Sequence, residues 1–262
     1  MSERINRRSL LRHGLMGSAA LTLGGCKIFD AARPSDSAMR AFFESANGLT
    51  YRSQRLLGGP DRLAPEYTEA DIRQGMRPNG SRDPDGEEYL SLARDDFADY
   101  RLTVTGMVEN PLSLSRAALM AMPSRTQITR HDCVEGWSCI AKWTGVPLAL
   151  VLDQARPTAA ARFAVFQCYD TIERSLSGIV KYYESIDLVT ARHPQTLLAY
   201  GMNDAPLPTA NGAPLRLRAE RLLGYKMAKY VHTITLVDSF ADIAGGRGGY
   251  WEDRGYHWFG GI

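Results

Sequence analysis

Short segments with a two-residue period are the feature of this sequence that most constrains its fold. In the clearest one, residues 231–237 (Val-His-Thr-Ile-Thr-Leu-Val), β-branched side chains recur in the alternation that is typical of a β-strand. Four further segments predict strands: residues 100–107, 163–166, 196–200 and 215–218. Because these segments are short and Pro- and Gly-containing loops separate them, the sequence predicts an α+β fold with mixed β-sheets, short helices and long loops.

Few helices are predicted. Residues 115–122 and 147–155 each read as a short helix delimited by proline. A possible capping box at residues 68–71 predicts another short helix that ends at Gly75. Residues 27–65 show no clear period and contain several prolines and glycines, so they predict a tether and an irregular surface segment.

The first 25 residues predict an export signal. Arg7 and Arg8 precede a weakly apolar stretch, residues 15–23, that matches a twin-arginine signal and is too short for a stable membrane span. The Leu-Gly-Gly-Cys run that ends at Cys26 resembles a lipobox, and the lipid would hold the protein at a membrane surface. We therefore expect a periplasmic protein attached to the membrane through Cys26. A plain basic N-terminus and cleavage without lipidation are the alternatives.

The charge distribution argues against nucleic acid as a partner. The chain has a net charge of +2, and residues 1–25 alone carry +3, which leaves −1 for the remainder. A near-neutral body lacks the basic surface expected of a nucleic-acid-binding protein. No strand, Gly-rich turn and helix follow one another as in a nucleotide-binding unit.

One cysteine stands in the most informative run, Arg-His-Asp-Cys-Val-Glu-Gly-Trp-Ser at residues 130–138. From the residues alone, Cys133 could be a buried structural thiol, a nucleophile favoured by Arg130 and His131, or a ligand of a soft metal. The four cysteines form no CxxC pair and are too few for a disulfide scaffold.

Several motifs together resemble the sulfite oxidase family of molybdopterin oxidoreductases. Cys-Val-Glu-Gly-Trp at residues 133–137 and Trp-Thr-Gly-Val-Pro-Leu at residues 143–148 are similar to its molybdenum-ligand segment. A second signature agrees in order and spacing at residues 198–203, 207–208, 211–216, 224–226 and 229. The resemblance runs from about Tyr100 to the C-terminus and implies a sulfite-oxidase-type molybdopterin-binding fold. The domain prediction is a signal peptide with lipobox over 1–25, a tether with an irregular or helical segment over 26–95, and the molybdopterin-binding domain over 96–262.

The resemblance also implies residue roles. Cys133 would be the thiolate ligand of molybdenum beside one pterin dithiolene, and Tyr182 resembles the active-site tyrosine, with Tyr183 as its rival one position away. Asn211, where sulfite oxidases proper usually carry histidine, favours an exported bacterial branch that includes methionine sulfoxide reductases. Contacts to the pterin or its phosphate are implied for seven residues: Asn79, Cys168, Asn211, Arg216, Met227, Ala228 and Lys229. Without the resemblance, Cys168 would be a packing residue and Arg216 the polar face of a strand.

The implied activity is two-electron oxygen-atom transfer at a molybdenum-molybdopterin cofactor. The expected substrate is a small S-oxo or N-oxo compound or oxidised methionine, and a sulfite dehydrogenase-like enzyme is the alternative. No haem-ligation pattern is present, so we expect no haem and a separate electron carrier, a membrane cytochrome or cytochrome c. A non-catalytic, lipid-anchored binding protein and a thiol-redox protein that uses Cys133 and Cys139 remain as alternatives from other classes.

Two features of the sequence have no role in these motifs. His131 and Asp132 could contact the cofactor, each other or solvent. Residues 249–259 are rich in aromatic side chains, which could pack over the core or form a partner surface. No immunoglobulin-like dimerisation domain is recognised, so we expect a monomer.

Overall fold

The computed structural model describes residues 37–59, 61–73, 75–175 and 178–262. The predicted signal peptide and Cys26 lie outside these residues, so both stay predictions. Met1–Thr50 and Tyr51–Ile262 form two compact units, and the described part of the first is helical. Within the described ranges, no helix combines the length and the apolar character that crossing a membrane requires.

The first sheet of the larger unit has five strands in the order β2-β1-β10-β5-β6. Strands β1 and β10 run parallel, whereas the other neighbouring pairs are antiparallel, so this sheet is mixed, as predicted. Its strands are β1 (Arg101–Gly106), β2 (Leu112–Ser115), β5 (Phe163–Ser175), β6 (Gly178–Asp187) and β10 (Val231–Val237).

The second sheet is antiparallel throughout, with the order β3-β4-β7-β8 and with β9 paired to β7. Its strands are β3 (Arg125–Asp132), β4 (Ser138–Pro147), β7 (Thr196–Met202), β8 (Ala205–Pro206) and β9 (Arg216–Ala219). Together the sheets confirm the α+β class, with all five strands predicted from the sequence present in them.

Within the described ranges, five α-helices accompany the sheets: α1 (Ser37–Gly58), α2 (Glu87–Arg94), α3 (Arg116–Ala121), α4 (Leu148–Ala155) and α5 (Leu188–Ala191). The predicted helices at residues 115–122 and 147–155 are confirmed as α3 and α4. The Ser115 hydroxyl accepts from the N–H of Ala118, which fixes the start of α3. The capping box is also present, but it caps the start of a single 3₁₀ turn, Glu69–Asp71, instead of a helix that extends to Gly75.

Helix α1 corrects the irregular segment predicted over residues 27–65. It covers 22 residues of that stretch. Proline breaks a helix only when it lies inside it, and the prolines of this stretch, Pro34, Pro60 and Pro65, all lie outside Ser37–Gly58. The prolines that predicted a tether therefore flank the helix instead of interrupting it.

One hydrophobic core draws side chains from both sheets and from α4. Leu102 and Ile234 come from the first sheet, Val146 and Leu198 from the second, and Leu152 from α4, and all five are fully buried. This shared core holds the loops at the ends of the strands in fixed positions, and those loops form the site described next.

The segment 215–218 forms β9, and its burial bears on the alternative in which Arg216 is only the polar face of a strand. The arginines of β9 are not a polar exposed face, because Arg216 and Arg218 are both completely buried. Their guanidinium carbons lie 5.0 and 4.3 Å from the ring centre of Trp143 on β4. These cation–π contacts offset part of the cost of burying the two charges.

Candidate active site

A cleft of about 690 Å³ brings together chain segments that are far apart in the sequence. That volume includes space at the open side of the cleft that belongs to solvent. Five of the predicted site residues line it: Asn79, Cys133, Tyr182, Met227 and Lys229. The other lining residues come from the same loops and strands and from the C-terminal segment: Gly80, Ser81, Val134, Glu135, Asp170, Ile172, Gly224, Tyr225, Trp251 and Tyr256.

Cys133 is held in the loop that joins β3 to β4. Its N–H donates to the carbonyl of Trp137 at 2.9 Å, and its carbonyl accepts from the N–H of Gly136 at 3.0 Å. Gly136 has a φ of 85°, the left-handed conformation in which a side chain would be strained. Burial raises the pKa of the Cys133 thiol, and the backbone N–H of Glu135 partly opposes that shift. A bound metal ion would supply the positive charge that a thiolate needs here.

Of the two rival tyrosines, Tyr182 is the one that lines the cleft. It is buried on β6, and its hydroxyl donates to the carbonyl of Tyr225. Tyr183 points to the other face of β6, where its hydroxyl donates to the carboxylate of Asp253. Burial raises the pKa of Tyr182 well above its usual value, so this phenol keeps its proton across the physiological range.

Two buried cations belong to this region: Lys229 lines the cleft, and Arg216 lies behind it. Arg216 donates to the carbonyl of Asn211 at 2.9 Å and to the side-chain oxygen of Asn79 at 3.4 Å. Lys229 donates to the carbonyls of Ser81 and Ala210. All four acceptors are neutral, so these hydrogen bonds supply no counter-anion for the two charges.

The electrostatics of this pair match an anionic ligand. Burial, and then the charge of Arg218, lower the pKa of Arg216 to about 9. Burial, and then the charge of Arg216, lower the pKa of Lys229 to about 7. The Nε of Arg216 and the Nδ2 of Asn211 are buried donors without a partner in the described structure. A phosphate would neutralise the cations and accept from these donors, so the residues fit the phosphate of a molybdopterin.

Among the described residues that line the cleft, Cys133 is the one thiol that could bind a metal ion. In the described ranges, no group of three or more His, Cys, Asp or Glu side chains is arranged to hold a metal ion. Cys133 alone therefore fits a metal whose other ligands come with a cofactor, as a dithiolene would provide. Thiolate sulfur suits such polarisable metals.

Four predicted cofactor residues do not line the cleft. Arg216 and Asn211 lie directly behind Asn79 and Lys229 in the contacts given above. Cys168 is fully buried in β5, where it pairs with Val231, and the carbonyl of Ala228 accepts from the N–H of Leu217 at 2.8 Å. Their roles as cofactor contacts stay predictions.

His131 and Asp132 face different surroundings and do not pair with each other. His131 is completely buried, and its Nδ1 accepts from Arg218 at 3.0 Å. Burial lowers its pKa well below the usual value, which keeps the imidazole neutral. Asp132 pairs with Arg130 and accepts from the hydroxyl of Ser138.

Sequence reasoning did not find several residues of the cleft. Trp251 and Tyr256 come from the aromatic C-terminal segment, and their rings stack 5.2 Å apart at its edge. The aromatic composition of residues 249–259 was a signal in the sequence, although it did not place these two residues at the cleft. Ser81, Asp170 and Ile172 carried no signal, because nothing in their local sequence indicates which strand or loop faces the cleft.

Known proteins place this geometry in context. The family described as oxidoreductase molybdopterin binding domain matches residues 89–242. A putative protein-methionine-sulfoxide reductase subunit YedZ1 of Azospira oryzae is 36% identical over 255 residues, which cover 97% of this chain and 87% of that protein. The protein-methionine-sulfoxide reductase catalytic subunit MsrP of Xanthomonas campestris pv. campestris is 37% identical over 156 residues, which are 56% of this chain and 48% of that protein.

Among solved structures, the sulfane dehydrogenase SoxCD of Paracoccus pantotrophus is similar with a TM-score of 0.48 and 21% identity. That similarity covers 54% of this chain and 39% of the other. The family match spans more than half of the chain and includes Cys133 and Tyr182, so this chain belongs to the sulfite oxidase family of molybdopterin-binding oxidoreductases.

Proposed function

We propose that the protein is an exported molybdenum-molybdopterin oxidoreductase that reduces a neutral S-oxide, with oxidised methionine as the foremost substrate. The charge of the cleft carries this proposal. Lys229 is the sole cationic side chain among the described residues that line it, and Glu135 and Asp170 are acidic. A doubly charged sulfite would be repelled here, whereas a sulfoxide carries no net charge.

The mouth of the cleft also suits a thioether side chain. Val134, Ile172, Trp251 and Tyr256 provide apolar and aromatic surface in the same cleft as Cys133. Sulfur makes favourable contacts with aromatic rings, and the polar S–O group can accept hydrogen bonds. Both relatives carry protein-methionine-sulfoxide reductase in their names, which supports the same substrate class.

The residues of the chain have separate tasks in this proposal. Cys133 would hold the molybdenum, which supplies two-electron oxygen-atom exchange when the cofactor is bound. Arg216, Lys229 and the backbone at Met227 and Ala228 would bind the phosphate and fix the cofactor in place. Tyr182 stays protonated, and its hydroxyl, which donates to the carbonyl of Tyr225 here, could donate instead to the oxygen of a bound sulfoxide and orient it.

Electrons would come from a separate carrier. Reduction converts one sulfoxide, two protons and two electrons into one thioether and one water. We propose a membrane cytochrome or a soluble cytochrome c as the donor. The relative that matches 97% of this chain is itself named as a subunit, which supports a partner protein. A twin-arginine signal at Arg7 and Arg8 and a lipid at Cys26 would bring the enzyme to the same membrane surface.

The Cys133→Ser variant tests the site. We expect the wild type, purified from cells that make the cofactor, to contain stoichiometric molybdenum and to reduce methionine sulfoxide with a reduced viologen dye. Cys133→Ser should lose activity by at least about 10³-fold, because the metal loses its protein ligand. Molybdenum by elemental analysis and thioether formation are the two measurements.

Cys139→Ser is the matched control, since Cys139 is a partly buried free thiol on β4. We expect it to keep wild-type metal and activity. Loss of activity in both variants without any metal would favour a thiol-redox protein, and a metal-free, inactive wild type would favour a binding protein. Faster turnover of sulfite than of sulfoxide would overturn the substrate proposal alone.

Export and lipidation need their own test. Replacement of Arg7 and Arg8 by lysine should retain the protein in the cytoplasm, and Cys26→Ser should release exported protein from the membrane fraction. Cell fractionation and mass spectrometry of the mature N-terminus measure both. Wild-type protein that stays in the cytoplasm would contradict this part of the proposal.

A further inference from the structure

A buried cluster of three charged side chains lies directly behind one wall of the cleft. Lys226 contacts Glu184 and Glu252, each at 2.5 Å, and all three side chains are at most 1% exposed. Each member is one or two positions away in the sequence from a residue of the cleft lining: Glu184 from Tyr182, Lys226 from Tyr225, and Glu252 from Trp251. The proposed reaction has not yet given this cluster a role.

The charges of the cluster do not balance when both carboxyl groups are ionised. One ammonium and two carboxylates then leave a net negative charge inside the fold, which is unfavourable. Burial raises the pKa of Glu184 well above its usual value; the charge of Lys226 opposes that shift and the charge of Glu252 adds to it. Two carboxyl groups in one buried site therefore hold a single proton between them.

Both carboxyl groups have an oxygen that can carry this proton. The Oε2 atoms of Glu184 and Glu252 are buried and have no hydrogen-bond partner among the described residues. The two groups also lie close together at Gly249. A Cβ there would lie 2.1 Å from Oε2 of Glu252 and 2.7 Å from Oε1 of Glu184, so a side chain at this position would occupy the same space.

Tyr182 connects the cluster to the cleft. Tyr182 and Glu184 are two residues apart on β6, so their side chains lie on the same face of the strand. Burial, and then the charges of Glu184 and Glu252, raise the pKa of Tyr182. The other titratable groups that face this region come from three elements: Cys168 and Asp170 of β5, Tyr225 and Lys226 of the 3₁₀ turn Gly224–Lys226, and Tyr250 of the C-terminal segment.

We propose that Glu184 and Glu252 share one proton and that this proton passes to Tyr182 during reduction of the sulfoxide. The inference rests on the proposed function and adds a proton source to it. Lys226 keeps the cluster neutral while the proton is present. Glu184 and Glu252 act through Tyr182 and lie outside the lining of the cleft.

The transfer balances with the reaction given above. Tyr182 gives its phenolic proton to the oxygen that leaves the sulfur, and Glu184 gives its carboxylic proton to the phenolate oxygen. Solvent then returns one proton to the cluster. The second proton of the product water comes from solvent in the cleft, and the two electrons come from the separate carrier.

The first test detects the shared proton without turnover. We expect the infrared spectrum of the wild-type enzyme at neutral pH to contain a carboxylic acid C=O band that shifts in D₂O. Glu184→Gln and Glu252→Gln should each remove the intensity of one carboxylic acid, because one ammonium and one carboxylate form a neutral pair without a proton. Both substitutions keep the shape of the side chain, so we expect both variants to fold, which circular dichroism checks.

Asp187→Asn is the matched control on the same strand. Burial raises the pKa of Asp187, but the N–H of Thr190 and the charge of Arg55 outweigh that effect and lower it below its usual value. Asp187 is therefore ionised, and its replacement should leave the band unchanged. Absence of the band in the wild type, or a band that both glutamine variants keep, would overturn the inference.

The second test asks whether the reaction uses the shared proton. With equal molybdenum content and excess reduced dye, Glu184→Gln should lower kcat for methionine sulfoxide by about 10²-fold and leave KM unchanged. The kcat of the wild type should fall as the pH rises through the pKa of the shared carboxyl group. That decrease should be missing in Glu184→Gln, which has no such proton to lose, whereas Asp187→Asn should keep the wild-type profile.

The two tests separate this inference from the proposed function. If Glu184→Gln and Glu252→Gln lose the infrared band but keep the kcat and the pH profile of the wild type, the proton does not serve the reaction and the inference is wrong. A wild type without molybdenum and without sulfoxide reduction would instead overturn the proposed function.

Discussion

Single buried side chains decide what this cleft can bind. Arg216 and Lys229 are cations inside the fold whose hydrogen bonds go to neutral acceptors, and both have a lowered pKa because burial removes water from them. Buried charges without a counter-ion destabilise the fold, so they are typical of sites where a bound ligand neutralises them. Residues of this kind are therefore better indicators of the cofactor site than the surface charges, which are mostly paired with one another.

The pKa of Lys229 predicts a pH dependence for the cofactor-free protein. The folded value is about 7 and the unfolded value is 10.5, so between these pH values the unfolded chain binds more protons than the folded one. Stability should therefore rise with pH across this window, and the penalty for burying the charge is fully present below it. The measurement is the urea midpoint at a series of pH values.

Lys229→Met is the comparison for that experiment, because it removes the titrating group and keeps much of the side-chain volume. Its stability should rise less steeply across the same window. The same slope in both proteins would show that another group is responsible. A bound phosphate should abolish the difference as well, because it raises the pKa of Lys229.

At the level of elements, strand register places the site. The β3–β4 hairpin carries Cys133 at its turn, and Asp170 of the cleft lies where the pairing of β5 with β6 shifts register, between Gln167 and Thr171. A further irregularity lies between Thr144 and Gly145, where β4 meets β7. A Cβ at Gly145 would lie 2.3 Å from the carbonyl oxygen of Leu198, so only glycine allows the two strands to approach this closely.

Gly145→Ala tests that close approach. The added methyl group would force β4 and β7 apart, and we expect a loss of roughly 1–3 kcal/mol in the free energy of unfolding. Gly201→Ala, on the facing strand, is the matched control, since its Cβ would meet no atom closer than 3.4 Å. Thermal or urea unfolding measures both, and equal stabilities would mean that the strands adjust without strain.

For the whole molecule, a buried ion cluster fastens the C-terminal segment to the sheet. Lys226 contacts Glu184 of β6 and Glu252 of the 3₁₀ turn Glu252–Arg254, each at 2.5 Å, and all three side chains are at most 1% exposed. Burial raises the pKa of Glu184 well above its usual value, and Lys226 opposes that shift. Because Glu252 directly follows Trp251, this cluster also fixes one aromatic wall of the cleft.

Lys226→Met should therefore destabilise the fold strongly. It leaves two buried carboxylates without their cation, which costs roughly 3–5 kcal/mol in the free energy of unfolding. Arg192→Met provides the contrast, because its pair with Asp153 is exposed and should contribute less than about 1 kcal/mol. Urea unfolding followed by far-UV circular dichroism measures both variants, and similar small losses would show that the cluster does not hold the fold together.

The sequence by itself determined the fold class, the family and several elements. Strand β10 matches the predicted residues 231–237 throughout, and helices α3 and α4 lie where proline delimits them. These features are local, since periodicity and helix ends depend on neighbours in the chain. The family resemblance named Cys133, Tyr182 and Lys229, and the structure brings all three to one cleft.

Only the tertiary structure decided the rest. In it, Arg216 and Arg218 are buried against Trp143. Tyr182, and not Tyr183, lines the cleft, and Asp170 lines it as well. None of these outcomes can be read locally, because each depends on register between strands that are distant in the sequence. A shift of one residue exchanges the two faces of a strand, so the side chains that meet in the cleft are fixed only when the sheets have paired.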